Sequence, residues 1–352
     1  MHERDRARRG RGLSVPKKNA EKAIEFLKAS GLLDTALAII KDGERVVLPL
    51  RSEGAKILET LLSIFEADLV EAEFAEKQRR PRSIREALST TLPQAILEKL
   101  PSSYDIVGDI ALIHLPRGVE QYMSLIGEAI MRVNPSVKVV LGEAGVVEGV
   151  FRLRRLVHLA GQRRTTTTHR ENGCVFQVDL SKSYFSPRLS GERMRIAALA
   201  GRGETVADMF AGVGPFSITI AKHSGAKVYA AELNPDAYSL LVKNIELNKV
   251  RGLVRPLHGD CKTVFLQNQV RADRVVMNYP SDPYSFLESA TKILKDEATM
   301  HVYGFAEEAE AWRRDLEMRV SSLGLACRAD VRVLREVSPR RRLMVADIAV
   351  CV

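Results

Sequence analysis

Short apolar runs and stretches of helical periodicity alternate along the carboxyl-terminal half of the chain. The apolar runs that have the length of strands cover residues 206–210, 227–232, 253–258, 272–278, 299–303, 325–334 and 343–350. Helical spacing of apolar residues begins at Pro215 and recurs over 235–248, with Asn234 as the expected N-cap of the second helix. Because strands that alternate with helices form a parallel sheet covered on both faces, the pattern predicts an α/β fold. The last two runs predict a closing antiparallel pair.

The segment VADMFAGVGPFS, residues 206–217, joins the first of these strands to its helix through a glycine-rich turn. Gly212 and Gly214 let the backbone pass close to a ligand, and the following helix offers free amide donors. Ser217 stands where a dinucleotide-binding turn has its third glycine. Asp208 would repel a pyrophosphate, but it suits the ammonium and sulfonium of S-adenosylmethionine (AdoMet). The turn therefore predicts an AdoMet site rather than a dinucleotide site.

Polar side chains end four successive strands of the predicted sheet. They are Asp208, Glu232, Asp260 and Asn278. The carboxyl ends of parallel strands meet at one edge, where the ligands of such sheets bind. Glu232 stands where nucleotide-binding units place the carboxylate that holds the ribose hydroxyls, and Asp260 where AdoMet enzymes place an acid facing the adenine amino group. Each residue alone is compatible with a helix cap or a turn, but the four in register favour a cofactor site.

The amino-terminal part divides into smaller units. Residues 1–12 are rich in arginine with nothing to bury, and they are expected to form a disordered basic arm. Residues 13–60 predict a small domain with a helix over 16–30 and a β-hairpin across 41–44. This domain has no convergent acids, histidines or cysteines, so we expect it to bind a partner. Residues 61–82 are expected to be a helix followed by a polar linker.

From residue 83 the pattern becomes globular again, and residues 83–185 predict a middle α+β domain. Its predicted helices cover 83–88, 92–99 and 119–133, and its predicted strands cover 110–115, 138–141 and 147–160. Residues 163–169 and 174–180 are expected to continue the same sheet. A helix that begins near Ser190 leads into the cofactor-binding domain, which we place at 186–352.

Composition points to a partner and excludes some classes of function. The formal net charge of +9 favours a polyanionic partner, most simply nucleic acid. The sequence has no run of about eighteen apolar residues, so no membrane span is expected. The four cysteines are far apart and form no CxxC pair. They indicate a reducing, cytoplasmic environment and argue against a zinc site, and no metal is expected.

Long blocks of the chain resemble one family. The blocks are HRENGCVFQVDLSKSYFSPRLSGERMRIA at 169–197, DMFAGVGPFSI at 208–218, VPKKNAEKAIEFLKASGLLD at 15–34 and LPSSYDIVGDIALIHLP at 100–116. Together they resemble the archaeal and eukaryotic tRNA (guanine-37 N1)-methyltransferases over most of the chain. The resemblance implies a class I AdoMet-dependent methyltransferase domain (Rossmann-like), preceded by two smaller RNA-binding α+β domains. It also implies tRNA as the partner. We expect a monomer, because one chain carries both RNA-binding domains and the site.

The resemblance also assigns roles to residues. Glu192, the acid of the SPRLxxER block, matches the general base, Arg152 matches the arginine that steadies the guanine carbonyl, and Asn278 completes the catalytic set. The residues expected to bind AdoMet are Arg193, Asp208, Phe210, Gly212, Gly214, Glu232, Leu233, Asp260, Cys261, Asn278 and Pro280. The residues expected to contact RNA are Arg152, Tyr184 and Arg188.

The chemistry of guanine explains why such residues are needed. Guanine N1 carries a proton at neutral pH, so a base must take that proton as the methyl group transfers. The charge that develops on O6 is then stabilised by an arginine. The target base must leave its stack. Tyr184, Phe185 or Tyr279 would stack on it, or would belong to the core instead.

Other functions are compatible with the same sequence. Tyr279 stands where the family commonly has leucine in Asn–Leu–Pro, and a relative methylates a tricyclic wyosine precursor at the same nucleotide. Enzymes that methylate exocyclic amines have a similar Asn-x-Pro motif, but they usually carry an aromatic residue where this chain has Ser281. A further alternative is transfer of the aminocarboxypropyl group of AdoMet. A noncatalytic tRNA-binding protein would not need all four strand-end polar residues.

Overall fold

The computed structural model describes residues 7–51, 61–76, 80–143, 153–338 and 340–351. Residues 1–6 of the expected arm, residues 77–79 of the expected linker, and Arg152 therefore lie outside the described residues. The chain divides into two compact units, Met1–Pro81 and Arg82–Val352, which we describe separately. In the described ranges no helix is both long and apolar enough to cross a membrane.

The first unit contains a four-stranded antiparallel sheet, and the helix Lys17–Ala29 packs on it. The strands, β1 (Ala7–Pro16), β2 (Ile40–Asp42), β3 (Arg45–Pro49) and β4 (Asp68–Ala75), lie in the order β2–β3–β1–β4. Helix α1 (Lys17–Ala29) confirms the helix predicted over 16–30, and Gly31 follows it in the left-handed region with φ 71°. The hairpin predicted across 41–44 is confirmed as the β2–β3 pair.

Two segments that we expected to be irregular are strands of this sheet. Residues 7–12 of the expected arm begin β1, and much of the expected linker is β4, which pairs with β1 in antiparallel register. Both strands carry charged residues on their outer faces, and for this reason their sequences did not indicate strands. Arg9 and Glu71, for example, form a cross-strand ion pair at 2.9 Å. A Cβ at Gly12 would lie 2.7 Å from the buried Phe74 ring, so glycine leaves room for the core.

The second unit begins with a mixed four-stranded sheet in the order β5–β6–β7–β8. Its strands are β5 (Asp105–Val107), β6 (Ile110–His114), β7 (Val139–Glu143) and β8 (Leu156–Gly161), and its helices are α2 (Ile84–Leu88), α3 (Gln94–Leu97) and α4 (Met123–Val133). These elements confirm the helices and strands predicted between 83 and 143. The strand expected over 147–160 is observed from Leu156 onward as β8. Residues 153–155 precede that strand, and residues 144–152 lie outside the described residues.

The two segments expected to continue that sheet form a separate hairpin instead. Strands β9 (Thr166–Glu171) and β10 (Cys174–Asp179) pair only with each other among the described strands. Asn172 and Gly173, with φ 48° and 69°, make a two-residue turn in the left-handed conformation that an Asn–Gly pair favours. This turn folds the segment back on itself, which is why it does not extend the neighbouring sheet.

A seven-stranded sheet forms the rest of the unit, in the order β13–β12–β11–β14–β15–β17–β16. The strands are β11 (Thr205–Asp208), β12 (Lys227–Glu232), β13 (Val254–His258), β14 (Ala272–Met277), β15 (Leu294–Ala306), β16 (Ala326–Ser338) and β17 (Arg341–Cys351). Strands β11 to β15 are parallel, and β17 runs antiparallel to both of its neighbours, β15 and β16. This arrangement confirms the predicted fold class and the closing antiparallel pair. The strand order reverses between β11 and β14, where doubly wound sheets bind ligands.

Helices pack into two cores against this sheet. One core contains α5 (Ser190–Leu199), α6 (Pro215–Ser224) and α7 (Pro235–Leu247), and the other contains α8 (Cys261–Gln267), α9 (Leu287–Thr291) and α10 (Ala309–Ser322). The helices predicted to begin near Ser190 and at Pro215 are confirmed. The predicted cap of α7 is also confirmed, because the Asn234 side chain accepts a hydrogen bond from the Asp236 amide.

Two asparagines of α7 hold the edge of hairpin strand β10. The Asn244 side chain accepts a hydrogen bond from the Gln177 amide at 2.7 Å and donates to the Gln177 carbonyl at 3.0 Å. Asn248 makes the same pair with Val175, at 2.9 and 2.7 Å. One helical turn apart, the two side chains replace the partner strand that β10 lacks on this edge. The hairpin is thereby fixed against the cofactor-binding fold.

We expect Asn244→Ala to lower the free energy of unfolding by about 1–3 kcal/mol, because it leaves backbone groups of Gln177 unpaired. Urea denaturation followed by circular dichroism measures the change. Ser239→Ala, on the exposed side of the same helix, is the control and is expected to stay within about 0.5 kcal/mol of the wild type. Equal effects of the two substitutions would contradict the structural role of Asn244.

Candidate cofactor and catalytic site

A cavity of about 240 Å³ opens at the carboxyl edge of the large sheet, where the strand order reverses. The residues expected to bind a cofactor that line this cavity are Arg193, Phe210, Gly212, Glu232, Leu233, Asp260, Cys261 and Asn278. Tyr184, expected to contact RNA, lines it as well. Three of the four polar residues that the sequence places at strand ends therefore line one cavity: Glu232, Asp260 and Asn278.

Glu232 is held by the backbone of the glycine-rich turn. Its carboxylate accepts hydrogen bonds from the Gly212 amide and the Asn234 amide, both at 2.7 Å. Burial raises the pKa of Glu232. A carboxylate oxygen has more than one lone pair, so each oxygen of Glu232 can accept a further hydrogen bond from a ligand in the cavity. This arrangement suits a pair of neighbouring hydroxyls.

Gly214 shapes the turn without lining the cavity. It has φ 91° and precedes α6. A Cβ at this position would lie 2.6 Å from Leu241 Cδ1 and 2.8 Å from Ile218 Cδ1. The residue must therefore be glycine for α6 and α7 to pack closely, which sets the position of the turn beside the cavity.

Asp208 does not line the cavity either, because its side chain is buried beneath the turn. It is 1% exposed and accepts hydrogen bonds from Ser217 Oγ at 2.6 Å and from the Phe210 amide at 3.4 Å. Burial raises the pKa of Asp208 to about 6. Its visible role is to hold the turn and the start of α6. Pro280, also expected at the cofactor, is likewise absent from the cavity lining.

Aromatic side chains and a helix start form the opposite wall. Phe210 stacks on Tyr279 with ring centroids 4.9 Å apart and meets Phe286 edge to face at 4.8 Å. Asp260 lies at the start of α8, where its side chain accepts a hydrogen bond from the Lys262 amide at 2.9 Å. The sequence did not reveal Phe286, since it lies in an irregular segment after β14 where spacing carries no signal.

Arg193 brings a buried positive charge to the cavity. It is 2% exposed, donates to the Ser186 carbonyl at 2.7 Å and pairs with Glu171 at 2.5 Å. Burial opposes ionisation of Glu171, but contacts with His169 and Arg193 outweigh it and lower the pKa of Glu171. Arg193 Nε is buried and has no hydrogen-bond partner in the described structure. A buried donor of this kind indicates a missing acceptor.

Glu192, the neighbour of Arg193 on α5, lies in a buried ionic network and does not line the cavity. Its side chain is 6% exposed and accepts hydrogen bonds from Arg195 at 2.7 and 2.9 Å. The Tyr303 hydroxyl donates a third, at 2.9 Å. The Glu192–Arg195 contact is therefore shielded from solvent on the Glu192 side and is not an exposed ion pair.

The basic residues expected at the RNA are less fully described. Arg188 lies outside the cavity lining, with its side chain 44% exposed and paired with Asp105 at 2.5 Å. Arg152 falls outside the described residues. Arg154, which the sequence did not single out, places its guanidinium 5.0 Å from the centre of the Tyr184 ring and pairs with Glu143. The alternating arginines in this stretch were its only sequence signal.

The donor set of the cavity fits AdoMet. The Glu232 oxygens can accept from hydroxyls, the aromatic wall suits a flat base, and the unpartnered Nε of Arg193 can donate to a carboxylate. These groups match the ribose, adenine and amino-acid parts of that molecule.

Comparisons with known proteins agree with this reading along most of the chain. Residues 12–57 match the tRNA methyltransferase 5 N-terminal domain, 84–165 the TYW2 N-terminal domain, and 167–328 the TRM5/TYW2 methyltransferase domain. The last match begins before the boundary that we placed at 186.

Three similar proteins illustrate the range of relatives. The tRNA (guanine(37)-N(1))-methyltransferase Trm5b of Pyrococcus abyssi is 38% identical over 96% of this chain and 98% of its own. A tRNA(Phe) (4-demethylwyosine(37)-C(7)) aminocarboxypropyltransferase of Pyrococcus horikoshii is 37% identical over 65% of this chain and 80% of its own. The solved complex of aTrm5 and tRNALeu superposes with a TM-score of 0.76, at 35% identity over 96% of this chain and 99% of that one.

We expect Glu232→Gln to weaken AdoMet binding by about tenfold or more, because a neutral amide accepts hydrogen bonds from hydroxyls less strongly than a carboxylate. The raised pKa of Glu232 adds a pH dependence: affinity for AdoMet falls as the carboxylate is protonated at acidic pH. Equilibrium dialysis measures both effects. Asp236→Asn, an exposed acid outside the cavity lining, is the control; an unchanged affinity in Glu232→Gln would contradict the role.

Proposed function

The chain belongs to the TRM5/TYW2 methyltransferase family, and we propose that it transfers a methyl group from AdoMet to N1 of guanosine 37 in tRNA. The near-full-length similarity to Trm5b of Pyrococcus abyssi supports this target. The structural observation that carries the proposal is the arrangement of α5. Arg193 lines the cofactor cavity, while the adjoining Glu192 is a carboxylate kept from bulk water. One helix thus places a cofactor ligand next to a candidate base.

Residues of the cavity would hold AdoMet by its polar groups. Glu232 would accept from the ribose hydroxyls, Asp260 would face the adenine amine, and the free Nε–H of Arg193 would bind the carboxylate of the amino-acid tail. When bound, AdoMet supplies an electrophilic methyl group that needs no activation by the protein. The contribution of the chain is to orient guanine N1 toward that methyl group and to exclude water.

Glu192 would act as the general base by taking the N1 proton of the guanine on a carboxylate oxygen. The resemblance gives Arg152 the stabilisation of O6. Asn278, which lines the cavity, would orient the guanine. Tyr184 would stack on the extruded guanine, with the Arg154 guanidinium beside its ring. Arg188 would contact the RNA backbone.

The tRNA partner accounts for the rest of the chain. A net charge of +9 favours a polyanion. The first unit would bind the outer corner of the folded tRNA, as the resemblance implies, and the middle region would contact the anticodon side. We propose that the protein acts as a cytoplasmic monomer, since one chain carries both RNA-binding parts and the site.

A second candidate function is aminocarboxypropyl transfer in wyosine synthesis. It is favoured by the 37% identity with the Pyrococcus horikoshii enzyme, which uses the same nucleotide position. That similarity spans only 65% of this chain, and such a transfer would not need a base for N1. Methylation of a tricyclic wyosine precursor is the other alternative at this position.

Incubation with AdoMet and an unmodified tRNA transcript that carries guanosine at position 37 is expected to yield N1-methylguanosine, because the site pairs a base with a methyl donor. Nucleoside mass spectrometry identifies the product. A transcript with adenosine at position 37 is the control and should remain unmodified. If AdoMet binds but neither transcript is methylated, the target is a premodified tricyclic base or the transferred group is aminocarboxypropyl.

A further inference from the structure

Arg195 bridges the buried carboxylate of Glu192 on α5 and the partly buried carboxylate of Asp347 on β17. Its guanidinium donates to Glu192 at 2.7 and 2.9 Å and to Asp347 of β17 at 2.8 and 3.0 Å. The Arg195 side chain is 22% exposed and that of Asp347 is 20% exposed. The Arg195 guanidinium is thus shared by two carboxylates, that of the candidate base Glu192 and that of Asp347.

Asp347 is held as a carboxylate from several sides. Arg274 donates to His301 Nε2 at 2.7 Å, and arginine can only donate, so the His301 proton lies on Nδ1. That N–H is donated to Asp347 at 2.6 Å, and Arg332 donates at 3.1 Å. Burial opposes ionisation of Asp347, but His301 and Arg195 outweigh it and hold the pKa of Asp347 well below its usual range.

The remaining groups around this cluster define its electrostatic setting. Burial lowers the pKa of the fully buried His301, which keeps the imidazole neutral. Arg274 is paired with Glu204 at 3.0 Å. Asp330, on β16 directly across from Asp347, is exposed to solvent. Among the described residues, the charge nearest to Glu192 is that of Arg195, whose guanidinium lies 2.7 Å from a Glu192 oxygen.

Tyr303 of β15 contacts the same carboxylate as Arg195. It is fully buried, and burial raises its pKa well above the ordinary value. Its hydroxyl therefore stays protonated and donates to Glu192 at 2.9 Å. A hydrogen bond donated to a carboxylate stabilises the charged form and weakens it as a base.

We propose that Asp347 and Tyr303 are positioning residues that tune Glu192 in opposite directions. Asp347 shares the positive charge of Arg195, so that charge stabilises the Glu192 carboxylate less and Glu192 takes up a proton more readily. When Glu192 is protonated, Arg195 and Asp347 remain as a pair with no net charge. Tyr303 stabilises the ionised Glu192 and restrains proton uptake. In the reaction a Glu192 oxygen would take the proton of guanine N1, and the N1 electron pair would bond to the methyl carbon. The bond between that carbon and the sulfonium of AdoMet would break, and the sulfur would leave as a neutral thioether. This inference rests on the proposed role of Glu192 as the base.

If Asp347 and Tyr303 act on Glu192 in opposite directions, substitution of each should shift the acid limb of the pH–rate profile of methyl transfer in opposite directions. Tyr303→Phe is expected to move the acid limb of the rate profile about one pH unit upward, a roughly tenfold loss of rate at a fixed acidic pH. In Asp347→Asn, Arg195 keeps Glu192 as its carboxylate partner and stabilises the ionised form of Glu192 more strongly. The acid limb is therefore expected to move to lower pH by a similar amount. A weaker base also lowers the plateau rate.

The measurement uses the full chain in single-turnover reactions, with excess enzyme, saturating AdoMet and a transcript with guanosine at position 37, between about pH 5 and 9. Tyr229→Phe and Asp236→Asn are matched controls, because neither residue contacts this network. Thermal melting and AdoMet affinity report whether each variant is folded. If Asp347→Asn does not fold, Asp347→Ser removes the same charge and carries the same expected shift.

Glu192→Gln tests the role of Glu192 as the base separately from its tuning by Asp347 and Tyr303. A loss of about 100-fold or more in its single-turnover rate, with AdoMet affinity kept, supports the base. If that loss occurs but folded Tyr303 and Asp347 variants shift the limb in the same direction or not at all, only the tuning is overturned. If Glu192→Gln keeps the wild-type rate and profile, the base assignment and the tuning both fail.

Discussion

The constraint on which this structure depends is the burial of Glu192 and Arg193 on one turn of α5, beside the partly exposed Arg195. Glu192 and Arg193 are 8% and 2% exposed, and Arg195 lies between two acids. A buried charge is tolerated only with partners, and removal of one partner of such a pair typically costs about 3–5 kcal/mol. The surrounding elements must therefore supply each of these residues with an opposite charge or a hydrogen-bond partner.

Each partner comes from a different part of the fold. Glu171 reaches Arg193 from the β9–β10 hairpin, and Asp347 and Tyr303 reach the other charges from β17 and β15. The antiparallel strand β17 thus supplies a partner to the charged residues of α5. The same reasoning explains why α7 holds the hairpin edge through two asparagine side chains, since a displaced hairpin would leave Arg193 unpaired.

The sequence predicted those features that depend on local spacing. Alternating strands and helices, the Asn234 cap and the register of Glu232, Asp260 and Asn278 all follow from short-range patterns. Asp208 was read as facing the ligand, because spacing gives the strand end but not the direction of the side chain. Its burial under the turn could be seen only with Ser217 in contact.

Long-range pairings were beyond the reach of the sequence. Strands β1 and β4 looked like an arm and a linker, because each carries charges that are neutralised only when the two lie side by side. Asp347 and Tyr303 looked like ordinary strand residues, since nothing local marks their contact with α5. Arg154 and Phe286 were missed for the same reason, because their place beside the cavity depends on segments that fold back from elsewhere.

We propose that adjoining residues of α5 serve different parts of one reaction, with Glu192 taking the proton and Arg193 binding the cofactor. The test measures the AdoMet dissociation constant and the single-turnover rate at saturating AdoMet for Glu192→Gln and Arg193→Lys. We expect Glu192→Gln to lose rate with its affinity unchanged, whereas Arg193→Lys should lose affinity and regain most of its rate at saturation. Loss of the same quantity in both variants would contradict it.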